Sequence, residues 1–258
     1  LWAFDMIGTV PTEIGLLAEQ LESLHLNSQD QMLSARTIDL YSLTNLKNLA
    51  MEYVEISPTL DTEISRLTSL DYLSLKGCSL HGTIPTEIGL LTNLKIWLNL
   101  AHDTMSGSIP TQVGLLTALE RIFLTSNQLT GTLIPPQLFH LTNLTTLGLS
   151  ENILTGALPS QLGLLPGLDW VGATDNFLSG TLPSELFSLT DLSSLHLSGN
   201  YFKGQLPPSL GQLRKLTHLK LSANSFSGAI PIELTGLTSL QFLGLDQNTF
   251  RGKVPTGI

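Results

Sequence analysis

Glu151 and Asp175 stand 24 residues apart, so if the chain between them closes one turn of a repeat, their carboxyls stack in one column. Paired carboxylates are the apparatus of glycosidic hydrolysis. That chemistry needs one acid held in a water-excluding pocket to raise its pKa. An open sheet supplies none, and the pair reads as two solvated acids at a strand edge. His196 and His218 raise a metal question in the same way, since they fall in neighbouring copies and adjacent columns. No third ligand follows at a metal-binding spacing, so no metal centre is expected, and His25, His81, His102 and His140 read as solvated. There is no Ser-His-Asp elbow, phosphate-cradling glycine loop or dinucleotide fingerprint. The sequence therefore predicts no catalytic residue, no cofactor and no enzymatic activity. Cys78, the one cysteine, excludes an intramolecular disulfide and reads as a small buried donor.

Binding chemistry is better represented, and its placement follows from a repeat. Gly156, Gly180, Gly204, Gly228 and Gly252 recur every 24 residues, a period that marks a stacked solenoid. Aligning on L-x-x-L-x-L gives ten strand centres: Leu24, Leu49, Leu73, Leu98, Ile122, Leu147, Val171, Leu195, Leu219 and Leu243. Around each, alternation such as Leu195-His196-Leu197 is the signature of a half-buried strand, and stacked copies would pair these strands in parallel. The segment after it, for example Gly204 to Gly211, turns the chain with Gly and Pro. It is too short and Pro-rich for a long helix, which predicts an extended piece followed by a short helical turn.

With the leucines inward, the residues between them face outward. The column before the strand centre holds Tyr72, Trp97, Arg121, Trp170, His218 and Phe242; the column after it holds Phe123, His196 and Lys220. Aromatic residues are 6% of the chain, yet the first column takes four. Tyr, Trp and Arg dominate binding hot spots because they supply large contact area with few rotors. Tyr72, Trp97, Arg121, Phe123, Trp170, His196, His218, Lys220 and Phe242 are therefore the expected ligand-binding residues. Gly148 and Gly172 flank Trp170 and predict a trough beside its indole. Leu94 to Leu98 carries one residue more than its neighbours, so a bulge could turn Ile96 or Trp97 inward. A second extra residue lies in Gly131 to Pro135.

Five positions after the strand centre, the last six copies carry Asn127, Asn152, Asn176, Asn200, Asn224 and Asn248. An amide there can bond backbone groups of its own and the neighbouring turn. The upstream copies hold Gln29, Val54, Cys78 and Asp103 instead, and the Gly-x-apolar-Pro element is missing from residues 28–45 and reduced to Ile56-Ser57-Pro58 in the next copy. The expected organisation is one domain over residues 1–258, with irregular repeats in 1–81 and regular ones in 82–258. Gly8 to Leu17 reads as the tail of a repeat whose strand would lie upstream of residue 1.

The net charge is −9 with 12 Lys+Arg and no basic run, a poor footprint for nucleic acid or an anionic membrane. No apolar run approaches the roughly 18 residues that span a bilayer. LWAFDMIG has no basic n-region and is not an intact signal peptide. One glycosylation sequon occurs, Asn143-Leu144-Thr145.

The pattern L-x-x-L-x-L-x-x-N-x-L-x-G-x-I-P-x-x-L-G-x-L is nearly intact in Leu216 to Leu237, LTHLKLSANSFSGAIPIELTGL. It resembles the plant-type leucine-rich repeat, over about nine tenths of the chain. The resemblance implies an α/β solenoid, right-handed, with a parallel sheet on its concave face. Its members include receptor-kinase ectodomains, polygalacturonase inhibitors and one class of plant antifreeze protein, non-enzymatic in their repeats. It implies an extracellular or cell-surface protein that binds a peptide, a protein or a cell-wall polysaccharide on that sheet. The family's cysteine-bearing caps are absent from this sequence, which makes assembly through uncapped ends the structural alternative. A third reading, an ice- or surface-binding protein, rests on the hydroxyls after the repeated glycine: Thr9, Thr83, Ser108, Thr132 and Thr181. Ala157, Gln205, Ala229 and Lys253 interrupt that array.

Overall fold

The alternations around the predicted strand centres become short strands, and within each unit successive strands pair in parallel with their centres in register. This is seen in a computed structural model that describes residues 2–3, 7–28, 33–36 and 39–256. The chain divides into two units, Leu1–Leu129 with Pro135–Leu141, and Thr130–Ile134 with Thr142–Ile258. In the first, Leu24 pairs with Leu49, Leu49 with Leu73, Leu73 with Leu98, and Leu98 with Ile122. In the second, Leu147, Val171, Leu195, Leu219 and Leu243 form the same kind of row. Leu24, Leu49, Leu73, Leu195 and Leu219 are fully buried. Each such side chain contributes on the order of 1.5–3 kcal/mol, so every copy adds to the interior it shares with its neighbours.

The strand expected upstream of residue 1 lies within the chain. Trp2 and Ala3 pair in parallel with His25 and Leu26. Ladder pairing needs only backbone N–H and C=O groups in register, so two residues join the sheet without the leucine signature that would have revealed them.

The extended piece after each turn forms a second parallel sheet. In the first unit His81–Thr83 pairs with Thr104–Gly107, and Gln128 and Leu129 with Ser106 and Gly107. In the second unit Thr130, Gly131 and Thr132 pair with Ile153, Leu154 and Thr155, and the ladder continues through Phe177–Gly180, Tyr201–Gly204, Ser225–Gly228 and Thr249–Phe250. Among the described residues every helical segment is a 3-10 turn of three to six residues, such as Thr86–Leu90 and Ser184–Ser188. Most begin directly after a proline whose φ is already near the helical value, Pro85 at −69° for example, and proline lacks only an N–H that the first turn cannot use. The extra residue of Gly131 to Pro135 is absorbed here, with Leu133 and Ile134 both buried.

The amide column does what its chemistry requires. Asn127 Nδ2 donates to Leu100 O at 2.8 Å, and Asn127 Oδ1 accepts the Met105 N–H at 2.9 Å. Asn176, Asn200, Asn224 and Asn248 repeat the donation to a carbonyl 27 residues back. Cys78 fills the same slot, donating from Sγ to Met51 O at 3.0 Å, and burial pushes its thiol far above the usual range. Val54 is buried there without polar groups. Gln29 lies outside the described residues.

The residue before this column sits in the left-handed region, at φ +56° for Glu151, +53° for Asp175 and Ala223, and +65° for Gly199. A Cβ on Gly199 would come 1.9 Å from Asp175 Oδ1. Gly199→Ala is expected to lower the thermal midpoint, by a cost on the order of 1–2 kcal/mol. Ala223→Gly should raise it, by up to about 1 kcal/mol, because relief of the strain outweighs the added freedom of the unfolded chain. Paired melting curves check both.

Candidate ligand-binding faces

Outward residues of the first sheet stand on strands whose inward neighbours are locked in the interior, so their positions are fixed by packing they take no part in. In the first unit Tyr72 and Trp97 are register partners. Their rings stack with centroids 5.9 Å apart at 27°, and Trp97 stacks on Phe123 at 4.7 Å and 22°. The Arg121 guanidinium lies 5.4 Å from the centroid of the Trp97 ring, within cation–π range. Trp97 Nε1 is buried and has no hydrogen-bond partner. Ser74, buried beside them, donates to Glu52 Oε1 at 3.1 Å and accepts from Asn99 Nδ2 at 3.2 Å. Burial, with the Glu52 charge, pushes the Tyr72 phenol up, against its Ser74 hydrogen bond.

The bulge expected near Trp97 does not turn it inward. Lys95 and Ile96 both donate to Asp71 O, the Ile96 side chain is exposed, and Trp97 keeps its place opposite Tyr72. The aromatics are also not separate anchors. Trp97 lies between two rings, so a ligand would meet the ring edges, the outer residues of the stack and the Arg121 guanidinium.

In the second unit Trp170, Ser194, His218 and Phe242 form one register row, and Gly172, His196, Lys220 and Gly244 the next. Trp170 meets His196 edge-on at 5.5 Å, His196 meets His218 at 6.3 Å, and His218 stacks on Phe242 at 6.3 Å and 16°. Lys220 Nζ is 5.5 Å from the Phe242 ring centroid. Burial, with Lys220 and His218 nearby, pushes His196 down to about 4. Its ring is neutral near neutral pH, and its Nε2 is buried without a partner. His218 Nδ1 is 2.9 Å from Thr217 Oγ1.

The trough expected beside Trp170 is filled by Trp170 itself. A Cβ on Gly172 would lie 2.3 Å from the end of the indole, so the ring is folded along its own strand over the glycine. The missing side chain makes room for the indole, and not for a ligand.

The hydroxyls in the third outward column were not singled out above. Ser150 Oγ accepts the Thr174 N–H at 3.1 Å, and Ser222 Oγ donates to Asp246. A row of exposed apolar side chains on the second sheet, Ile153, Phe177 and Tyr201, also escaped the alignment on strand centres. Its signal is an apolar residue six positions after each centre. Glu151 and Asp175 are exposed on their turns.

Leucine-rich-repeat family models match residues 190–250 and 69–91. Among solved structures, a TDR receptor is 31% identical over 98% of this chain and 43% of its own, with a TM-score of 0.90. The plant peptide hormone receptor RGFR1 in complex with RGF2 is 31% identical over 97% of this chain and 40% of its own, at 0.87. A plant ice-binding protein is 28% identical over 91% of this chain and 74% of its own, at 0.78. The chain thus spans less than half the length of the two receptor chains. A search of curated proteins gives no match. Leucine rows in parallel register, an amide column bonding turn to turn, and likeness to plant receptors over nearly the whole chain together make this a leucine-rich-repeat protein of the plant type.

Proposed function

We propose that this chain is a non-enzymatic recognition module of a receptor-like protein at the cell exterior, and that it binds an extended peptide on the outward face of its first sheet. The observation that carries this reading is the stack of Tyr72, Trp97 and Phe123 with Arg121 against it. It offers preorganised apolar area beside a guanidinium suited to carboxylate or carbonyl oxygens. The row from Trp170 to Phe242 offers a second such surface, with His218 and Lys220 as donors. The similarity to a receptor solved with RGF2 supports a peptide ligand. Neither a polysaccharide ligand nor assembly through the ends gains support from the comparisons.

The test is selection from a displayed random-peptide library, followed by calorimetry of recovered peptides. Trp97→Ala with Phe123→Ala is expected to weaken binding by 30-fold or more, as loss of a hot spot worth about 2 kcal/mol does. Equal affinity for both proteins would remove this face from the account.

One observation favours a second reading. On the second sheet of the second unit, Thr130, Thr155 and Ser179 recur at one exposed position of successive copies, and Thr132, Ala157 and Thr181 at another. Such rows suit an ordered water surface. The reading predicts thermal hysteresis in a nanolitre freezing assay, and its absence dismisses it.

A further inference from the structure

Asp103 occupies a slot where six later copies carry Asn. Its Oδ1 accepts the Leu80 N–H at 2.8 Å, as Asn127 Oδ1 accepts the Met105 N–H. The other end differs. In the asparagine copies Nδ2 donates to carbonyl oxygens, in Asn127 to Leu100, Leu124 and Thr125. Asp103 Oδ2 is buried and has no partner. An ionised carboxylate has no proton to donate on that side, whereas a protonated one carries an O–H where the amides carry an N–H.

The surroundings favour the neutral form. The titratable group facing Asp103 from the preceding copy is the buried Cys78, whose thiol Asp103 itself helps to push up. The next slot of the column holds the neutral amide of Asn127, and His102, its chain neighbour, is exposed. Burial pushes the Asp103 carboxyl from its ordinary 3.8 up to about 7, against the backbone N–H groups of Leu80, Gly77, Cys78 and Ser79, which favour the ion.

We infer that Asp103 is a proton-dependent joint between the copies that carry Tyr72 and Trp97, tight when the carboxyl is protonated and loosened when it ionises. The sign follows from linkage. The unfolded chain loses this proton near pH 4 and the folded chain only near neutrality, so stability is highest in acid and falls as pH rises through that interval. Above it the buried charge persists with no cation among the described residues beside it to offset its burial, and the loss is complete. Because the joint ties together the turns that follow strands Tyr72–Ser74 and Trp97–Asn99, ionisation would also weaken peptide binding on the aromatic stack those strands carry. That last step alone rests on the function proposed above.

The experiment compares thermal midpoints of the wild type and Asp103→Asn from pH 4 to 9, with carbon-13 NMR of labelled aspartate carboxyls in the wild type. The wild-type midpoint is expected to drop relative to Asp103→Asn between pH 4 and 8 and then run parallel to it, with one carboxyl titrating near neutrality. Parallel curves throughout, or an Asp103 carboxyl titrating below pH 5, overturn the inference. If Asp103→Asn does not fold, the carboxyl titration decides alone. A normal NMR titration near neutrality with pH-independent peptide binding would refute only the link to recognition.

Discussion

Asn200→Ala is expected to destabilise the chain by about 3 kcal/mol, read as a lower midpoint in chemical denaturation. One side chain here satisfies two neighbouring copies. Its Nδ2 donates to Ala173 O at 2.9 Å and to Leu197 O and Ser198 O at 3.1 Å each, and its Oδ1 accepts the Leu178 N–H at 3.0 Å. All of this lies out of water, with Asn200 only 6% exposed. Alanine would strand an N–H and a carbonyl of the preceding copy together, and a buried unpaired group costs about 1–3 kcal/mol. A loss below about 1 kcal/mol would show that water enters the turn and that the column is not what joins the copies.

Phe226→Ala should cost more, about 4 kcal/mol, the usual range for emptying a buried aromatic site. Phe226 is fully buried and sits between Phe202 at 6.2 Å and 11° and Phe250 at 6.3 Å and 6°. The fold supplies its own control. Leu129, Leu154 and Leu178 occupy this position in earlier copies and are equally buried. Phe226→Leu is therefore expected to cost less than about 1.5 kcal/mol. If both variants unfold at the same denaturant concentration, the ring column contributes nothing beyond being apolar.

The parts of this fold that were legible in the sequence were those set by a period. Strand centres, inward and outward columns and the asparagine slot follow from a 24-residue repeat, because each copy buries its leucines against the next. What was not legible depended on where side chains go once placed. Trp170 lies along its own strand over Gly172, a rotamer that no spacing encodes. Trp97 keeps its column because the extra residue is accommodated at Ile96, and the register needs coordinates to see this. The Tyr72–Trp97–Phe123 stack joins residues of two different columns, so reading columns singly does not reveal it. In the irregular copies the strand Trp2–Ala3 has backbone pairing without leucines. Asp103 was visible as a departure from Asn, but its partnerless oxygen was not.

The central claim is that recognition takes place on the outward face of the first sheet. Its most direct test is amide hydrogen exchange with and without a library-selected peptide at saturating concentration. The account predicts new protection at Tyr72–Ser74, Trp97–Asn99 and Arg121–Phe123, lost in the Trp97→Ala, Phe123→Ala variant. Protection confined to the second-sheet strands, Ile153–Ala157 and Phe177–Gly180 among them, would contradict it.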